Sequence, residues 1–155
     1  MAGIQELEIL GQLLLAIILG TLIGIEKEFA RKSAGMRTYA LVSLGAALFS
    51  IIAQLAFKNA NGSFDPSRIL SQIVVGIGFI GAGVIIFQKS QIRGITTAAG
   101  LWVTAAIGAA VGYKLYNLAI SATLLVLLVL VVFWSIEKKF LHKIPTDDIN
   151  ENESR

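Results

Sequence analysis

The most regular feature of the chain is the alternation of long uncharged runs with short charged segments. Five stretches carry no Asp, Glu, Lys or Arg: Ile9–Ile25, Thr38–Phe57, Ile69–Gln88, Ile95–Tyr113 and Leu115–Ile136. Each is 17 to 22 residues long, and together they hold 98 of the 155 residues. A helix crossing the hydrocarbon core of a bilayer needs about 20 apolar residues. Strands of a membrane barrel would alternate apolar and polar residues, which Leu124–Phe133 does not. The pattern predicts an all-α, polytopic bundle of five spans. A four-span alternative keeps one glycine-rich segment re-entrant, because only Lys114 separates the last two runs and eight of the 15 glycines lie between Gly76 and Gly112. In the five-span reading the last turn falls at Gly112–Asn117, with Gly112 as a helix C-cap.

Composition agrees. Charged residues are 15% of the chain, 55% of residues are hydrophobic, and there is no cysteine. The mean hydropathy is +0.76. A soluble enzyme, a disulfide scaffold and a disordered tail are excluded. Glu6 and Glu8 stand where a signal peptide would carry basic residues, so the first run is read as a retained span. Basic residues are unevenly placed: ten fall on one set of alternate connecting segments and three on the other. The positive-inside rule then puts the N-terminus outside and the C-terminus inside. Residues 1–136 form the membrane domain and residues 137–155 a charged cytoplasmic tail.

Membrane helices associate through close packing of small residues. Gly20 and Gly24 make one such stripe in the first span; Gly100, Thr104, Gly108 and Gly112 make a longer one in the fourth. The fifth has Ala119, Ala122 and Thr123 near its start and then Leu and Val. Spans one and four are therefore placed inside the bundle and span five against lipid, with Trp134 and the following Glu137, Lys138 and Lys139 at the inner interface. These small faces also suggest a homo-oligomer in which Gly108 mediates assembly. Gly76, Gly78, Gly81 and Gly83 match a dinucleotide fingerprint, but they lack its strand–turn–helix setting and its acidic residue about 20 positions on. They are read as helix packing, or as an irregular helix lining a cavity, since each glycine costs about 1 kcal/mol of helix propensity.

The polar candidates are few. Asp65 before the third span is a natural N-cap, with Pro66 at the first helical position; its alternative role is in an outward-facing cation site. Thr96 and Thr97 after Gly94 mark a helix start. Glu26 and Glu28 lie about 200° apart on a helix and so do not form a ready chelate. They either moderate a basic loop, or Glu26 pairs with Arg37 at the same depth. Lys27, Arg31, Lys32 and Arg37 make a juxtamembrane patch able to attract anionic lipid at roughly 1 kcal/mol per cation. His142 is alone in the tail, so a transition-metal site is not expected. No hydroxyl, base and acid are grouped for catalysis, no nucleic-acid partner is indicated, and no charge lies in the middle of a span, where coupled pumps place carboxylates or histidines.

Gly20-x-x-x-Gly24-Ile25-Glu26-Lys27-Glu28, Ala34-Gly35-Met36-Arg37-Thr38 and Leu41-Val42-Ser43-Leu44-Gly45-Ala46, followed by Asp65-Pro66-Ser67-Arg68-Ile69, the Gly76–Gly83 block, Gly94-Ile95-Thr96-Thr97-Ala98-Ala99 and Leu101–Gly108, resemble the MgtC/SapB family of bacterial membrane proteins. The resemblance runs in order through residues 10–135. It implies an inner-membrane bundle of about five spans associated with growth under magnesium limitation. It also implies one of two actions: regulation of another membrane protein, the proton-translocating ATP synthase being one proposed partner, or movement of Mg²⁺. No cofactor is implied beyond Mg²⁺ as ligand or cargo. Glu26, Glu28, Arg37, Asp65, Arg68 and the glycine block match characteristic positions, which makes Asp65, Glu26 and Glu28 the candidate cation ligands and Glu26, Arg37 and Arg68 the candidate charge pairs. Two positions depart: Lys27 stands where Arg is common, and Tyr39 where His is often seen, which removes a titratable group. Longer members add a soluble C-terminal domain; with about 19 residues after Ile136, this chain is expected to be the short form.

Overall fold

The computed structural model describes residues 2–56, 65, 67–88 and 91–141. Five helices follow one another: α1 Ala2–Phe29, α2 Met36–Ala56, α3 Ser67–Val84, α4 Ile95–Gly112 and α5 Tyr116–Leu141, with a short antiparallel hairpin, β1 Ile86–Gln88 and β2 Gln91–Arg93, between α3 and α4. All five helices are long and apolar enough to cross a membrane. The glycine-rich α3 is one continuous helix, and α4 and α5 are separate, so the re-entrant alternative does not hold. The third uncharged run stops being helical at Val84, and its last residues pair as β1 with Ile86 opposite Arg93.

Two helix ends are closed in the same way. After α1, Lys32 N–H bonds Lys27 C=O at 3.0 Å and Arg31 N–H bonds Glu28 C=O at 3.0 Å, with Arg31 at φ 52°. After α4, Leu115 N–H bonds Ala110 C=O and Lys114 N–H bonds Val111 C=O, both at 2.9 Å, with Lys114 at φ 62°. These are Schellman closures in which a basic residue takes the left-handed position usually given to glycine. Gly112 is therefore not the C-cap; it remains helical and serves packing instead. Gly94, at φ 93°, is different: a β-carbon there would overlap Val84 O, so the hairpin can feed α4 only through glycine.

The core is centred on α4, which packs on all four other helices. Leu101, Ala105, Ile107 and Val111 of α4 are buried with Ala16, Leu19 and Ile23 of α1 and with Tyr39, Ala46 and Ala47 of α2. α3 and α5 are peripheral and turn most of their surface outward. In α5, Ala119 and Thr123 are buried, whereas Leu124, Leu125, Leu128 and Val129 are exposed. Apolar side chains gain nothing by leaving lipid, so such exposure is the normal state of a lipid-facing helix.

α2 is held from two sides by glycines. A β-carbon on Gly20 would stand 2.6 Å from Tyr39 O and 2.8 Å from Ser43 Cβ, and one on Gly24 would overlap Met36. From α4, one on Gly108 would overlap Ser43 O, and one on Gly112 would stand 2.6 Å from both Ala47 O and Ser50 Cβ. Thr104, in the same stripe, is buried and turns its hydroxyl back to Gly100 O at 2.8 Å. Gly108 thus serves contact within the chain, which corrects its assignment to subunit assembly. Gly76, Gly78 and Gly83 have nothing within 4 Å of a built β-carbon, and Gly81 makes only ordinary contact with Ala98 at 3.5 Å. Gly81 is buried against α4, as a packing glycine should be, whereas Gly76, Gly78 and Gly83 make no close packing contact inside the chain.

Candidate functional site

The candidate polar residues sort to two ends of the bundle. One end joins the starts of α1 and α3 to the turn between α4 and α5. There Lys114 Nζ meets Glu8 Oε1 at 2.7 Å. Asp65 Oδ1 accepts from Ser67 N–H at 2.9 Å, so it caps α3. Hydrogen bonding from Ser67 holds the Asp65 carboxyl below the usual carboxylate value, with the nearby Arg68 charge a smaller influence. Tyr113 is pushed up by burial and then by the Asp65 charge.

Two glutamines in the uncharged runs, which sequence reasoning missed, complete this end. Gln12 is buried and its Nε2 donates to Val111 O at 3.1 Å and Gly112 O at 3.2 Å. Gln54 Nε2 donates to Gly112 O at 2.6 Å and to Ser50 O at 3.0 Å. The last carbonyls of a helix have no intrahelical donor, and away from water that loss must be made good from elsewhere. The signal available in the sequence was a primary amide in each of two apolar runs.

The other end joins the end of α1, the start of α2, the hairpin and the start of α4. Glu26 and Glu28 diverge, as their spacing requires. Glu28 Oε2 accepts from Met36 N–H at 3.0 Å and so caps α2 from α1. Glu26 Oε2 lies 3.3 Å from Lys27 Nζ, with side-chain exposures of 17% and 2%. That oxygen has no hydrogen-bond partner among the described residues. Pairing of Glu26 with Arg37 is not what the structure has: Glu26 turns to Lys27, while Arg37 is exposed and in no ion pair among the described residues. Lys27 correspondingly leaves the surface patch to which its charge assigned it, because its stem enters the interior beside Glu26. Arg68 is exposed next to Asp65, at the opposite end from Glu26.

The three candidate cation ligands are therefore not brought together: Asp65 is at one end, Glu26 and Glu28 at the other, each with a partner in the fold. Among the described residues no three His, Cys, Asp or Glu side chains converge. His142 lies outside the described residues. Trp134 and Lys138, placed at an interface by sequence, meet with the ammonium 5.3 Å from the ring centre.

Tyr39, at the position where the sequence departs from histidine, is fully buried and donates from its hydroxyl to Thr97 O of α4 at 3.1 Å. On the other flank of α2 the surface opens. Thr38, Leu41, Gly45 and Phe49 of α2 face Ile69, Ile73, Gly76 and Ile80 of α3 across an apolar groove of about 800 Å³. Gly45 and Gly76, on opposite walls, have nothing within 4 Å of a built β-carbon.

A sequence profile described as the MgtC family matches residues 13–139. YhiD of Escherichia coli K12, provisionally named a magnesium transporter, is 42% identical over 140 residues, covering 88% of this chain and 65% of the relative. MgtC of Salmonella typhimurium is 44% identical over 115 residues, covering 74% and 48%. The chain thus spans between about half and two thirds of the length of these relatives. No solved structure matches it.

Proposed function

The chain belongs to the MgtC family and is a multi-pass membrane protein, and from that premise we propose that it is magnesium-related and regulates another membrane protein by helix–helix contact. The observation that carries this reading is the groove between α2 and α3. It is apolar, it runs along two membrane-length helices, and it carries a glycine on each wall. Small residues are what let a neighbouring helix approach closely within lipid. The occupant is an apolar membrane helix of the partner. In this reading the protein lies in the bacterial inner membrane with its N-terminus outside and is not an enzyme.

Cross-linking from Gly45 and Gly76 in cells starved of magnesium tests it. A membrane protein other than this chain should be captured, the ATP synthase being one candidate. Gly45→Trp and Gly76→Trp, which fill the groove, should abolish capture and low-magnesium growth while the protein still folds. Capture of lipid alone, or normal growth of both variants, would count against the contact. Capture of a second copy would make the contact homo-oligomeric instead.

The second reading, passage of Mg²⁺ or another cation, is favoured by the name of YhiD. Mg²⁺ keeps several of its waters and is usually held by one or two carboxylates, so sparse ligands are compatible with it. Mg²⁺ flux into proteoliposomes that is saturable and lost in Asp65→Asn would establish this reading. No flux from folded protein under an imposed membrane potential would leave regulation.

A further inference from the structure

At the hairpin end a second cavity, of about 500 Å³, lies between the α1–α2 connection and the base of the hairpin. Arg31, Lys32 and Arg93 line it together with Ser33, Gly94 and Thr97, and no acidic side chain is among its described lining residues. All three cations are exposed, and none forms an ion pair among the described residues. The two carboxylates nearest in sequence are committed elsewhere, Glu26 to Lys27 and Glu28 to the start of α2.

The cavity also receives the first turn of α4. Gly94 is its N-cap and offers no side-chain hydrogen bond, being without a side chain. The first N–H groups of a helix have no intrahelical acceptor and carry a partial positive charge. An uncapped helix start therefore faces the same space as two guanidinium groups and an ammonium. Arg31 stands there in the left-handed conformation, held by the Schellman closure of α1. Around this end Phe29 (86% exposed), Ile86, Ile92 and Ile95 present apolar side chains beside the cations. That mixture suits the depth of lipid headgroups, where apolar and charged groups meet.

We propose that this cavity is a binding site for the phosphate group of an anionic ligand, held by Arg31, Lys32, Arg93 and the N-terminus of α4. Guanidinium groups match phosphate oxygens in paired hydrogen bonds, and a helix N-terminus adds backbone donors. The phosphate belongs either to an anionic lipid or to a soluble phosphate compound. The site is independent of the α2–α3 groove and of any partner seated there.

The purified full chain in nanodiscs separates these cases. Native mass spectrometry counts phosphatidylglycerol retained against phosphatidylcholine, and thermal unfolding in phosphatidylcholine discs follows a titration with inorganic phosphate. Saturable retention of phosphatidylglycerol identifies a lipid source; a saturable rise in unfolding temperature with phosphate identifies a soluble one. Either response should weaken by about tenfold in Arg31→Gln/Arg93→Gln, the loss of about one charge-assisted hydrogen bond. Arg93→Gln alone, at an exposed position, should show the effect even if the double variant does not fold. Lys138→Gln, a basic position on α5 outside the cavity, should bind as the native chain does. Absence of saturable binding of both probes, or an equal loss in Lys138→Gln, overturns the site.

Discussion

The hydroxyl of Tyr39 lies 2.5 Å from the point where a β-carbon on Gly100 would stand, so the ring of α2 fits α4 only because that position has no side chain. The same hydroxyl donates to Thr97 O at 3.1 Å, which joins the two helices through a polar contact deep in the bundle. Gly100→Ala should cost about 1–3 kcal/mol by overpacking, and Tyr39→Phe about 1 kcal/mol for the lost hydrogen bond. Removing the hydroxyl also makes room for the new methyl, so the double variant should cost less than the sum of the two. Unfolding in detergent measures all three, and strict additivity would show that the two side chains do not meet.

The buried pair at the end of α1 gives a second expectation. Breaking a buried ion pair from one side leaves a charge without compensation and costs about 3–5 kcal/mol. Glu26→Gln should therefore be strongly destabilising, since Lys27 is 2% exposed. Glu26→Gln/Lys27→Met should recover most of the loss. If the double variant is as unstable as the single, the lysine charge is not what Glu26 neutralises.

Glycines that look alike in the sequence should differ sharply when replaced. Gly108→Leu forces a side chain into the α2 backbone at Ser43 and should abolish folding of the monomer, not merely its association. Gly78→Leu meets nothing within 4 Å and gains about 1 kcal/mol of helix propensity. Thermal unfolding and expression of the two variants in the membrane provide the comparison. Equal damage at both positions would mean that a neighbour covers α3.

Acid and base should act at the Glu8–Lys114 end in opposite senses. The Asp65 carboxyl is held below its ordinary value of 3.8 by Ser67, so its contribution is present above that pH and lost as pH falls through the lowered value. The Lys114 ammonium is held above its ordinary value of 10.5, chiefly by its hydrogen bond to Glu8. Its contribution is present below that pH and lost as pH rises through the raised value. Unfolding measured against pH should show Asp65→Asn converging on the native chain in acid, and Lys114→Gln converging on it in base. Both groups are exposed, so the differences should be small and should shrink with salt.

Length and absence of charge were enough to read five membrane-length helices from the amino-acid order, because a helix in lipid satisfies its own backbone and any charge within it is costly. The Gly100–Thr104–Gly108–Gly112 stripe and the capping role of Asp65 were legible for the same reason: each depends on spacing along one helix. What each side chain faces is a different matter. Gly108 and Gly78 are both helical glycines in apolar runs, and only the crossing of α4 over α2 makes one of them irreplaceable. By sequence Glu26 is expected to pair with Arg37 at the same depth, but the rotation of α1 takes Lys27 into the interior and Glu26 pairs with it instead. Gln12 and Gln54 took on meaning when the end of α4 arrived beside them with a carbonyl to satisfy. Likewise the cavity lined by Arg31, Lys32 and Arg93 joins residues about sixty positions apart. The order of residues sets periodicity and local hydrogen bonding, whereas the rotation and approach of helices come from how their surfaces fit, which is settled only when all five are packed.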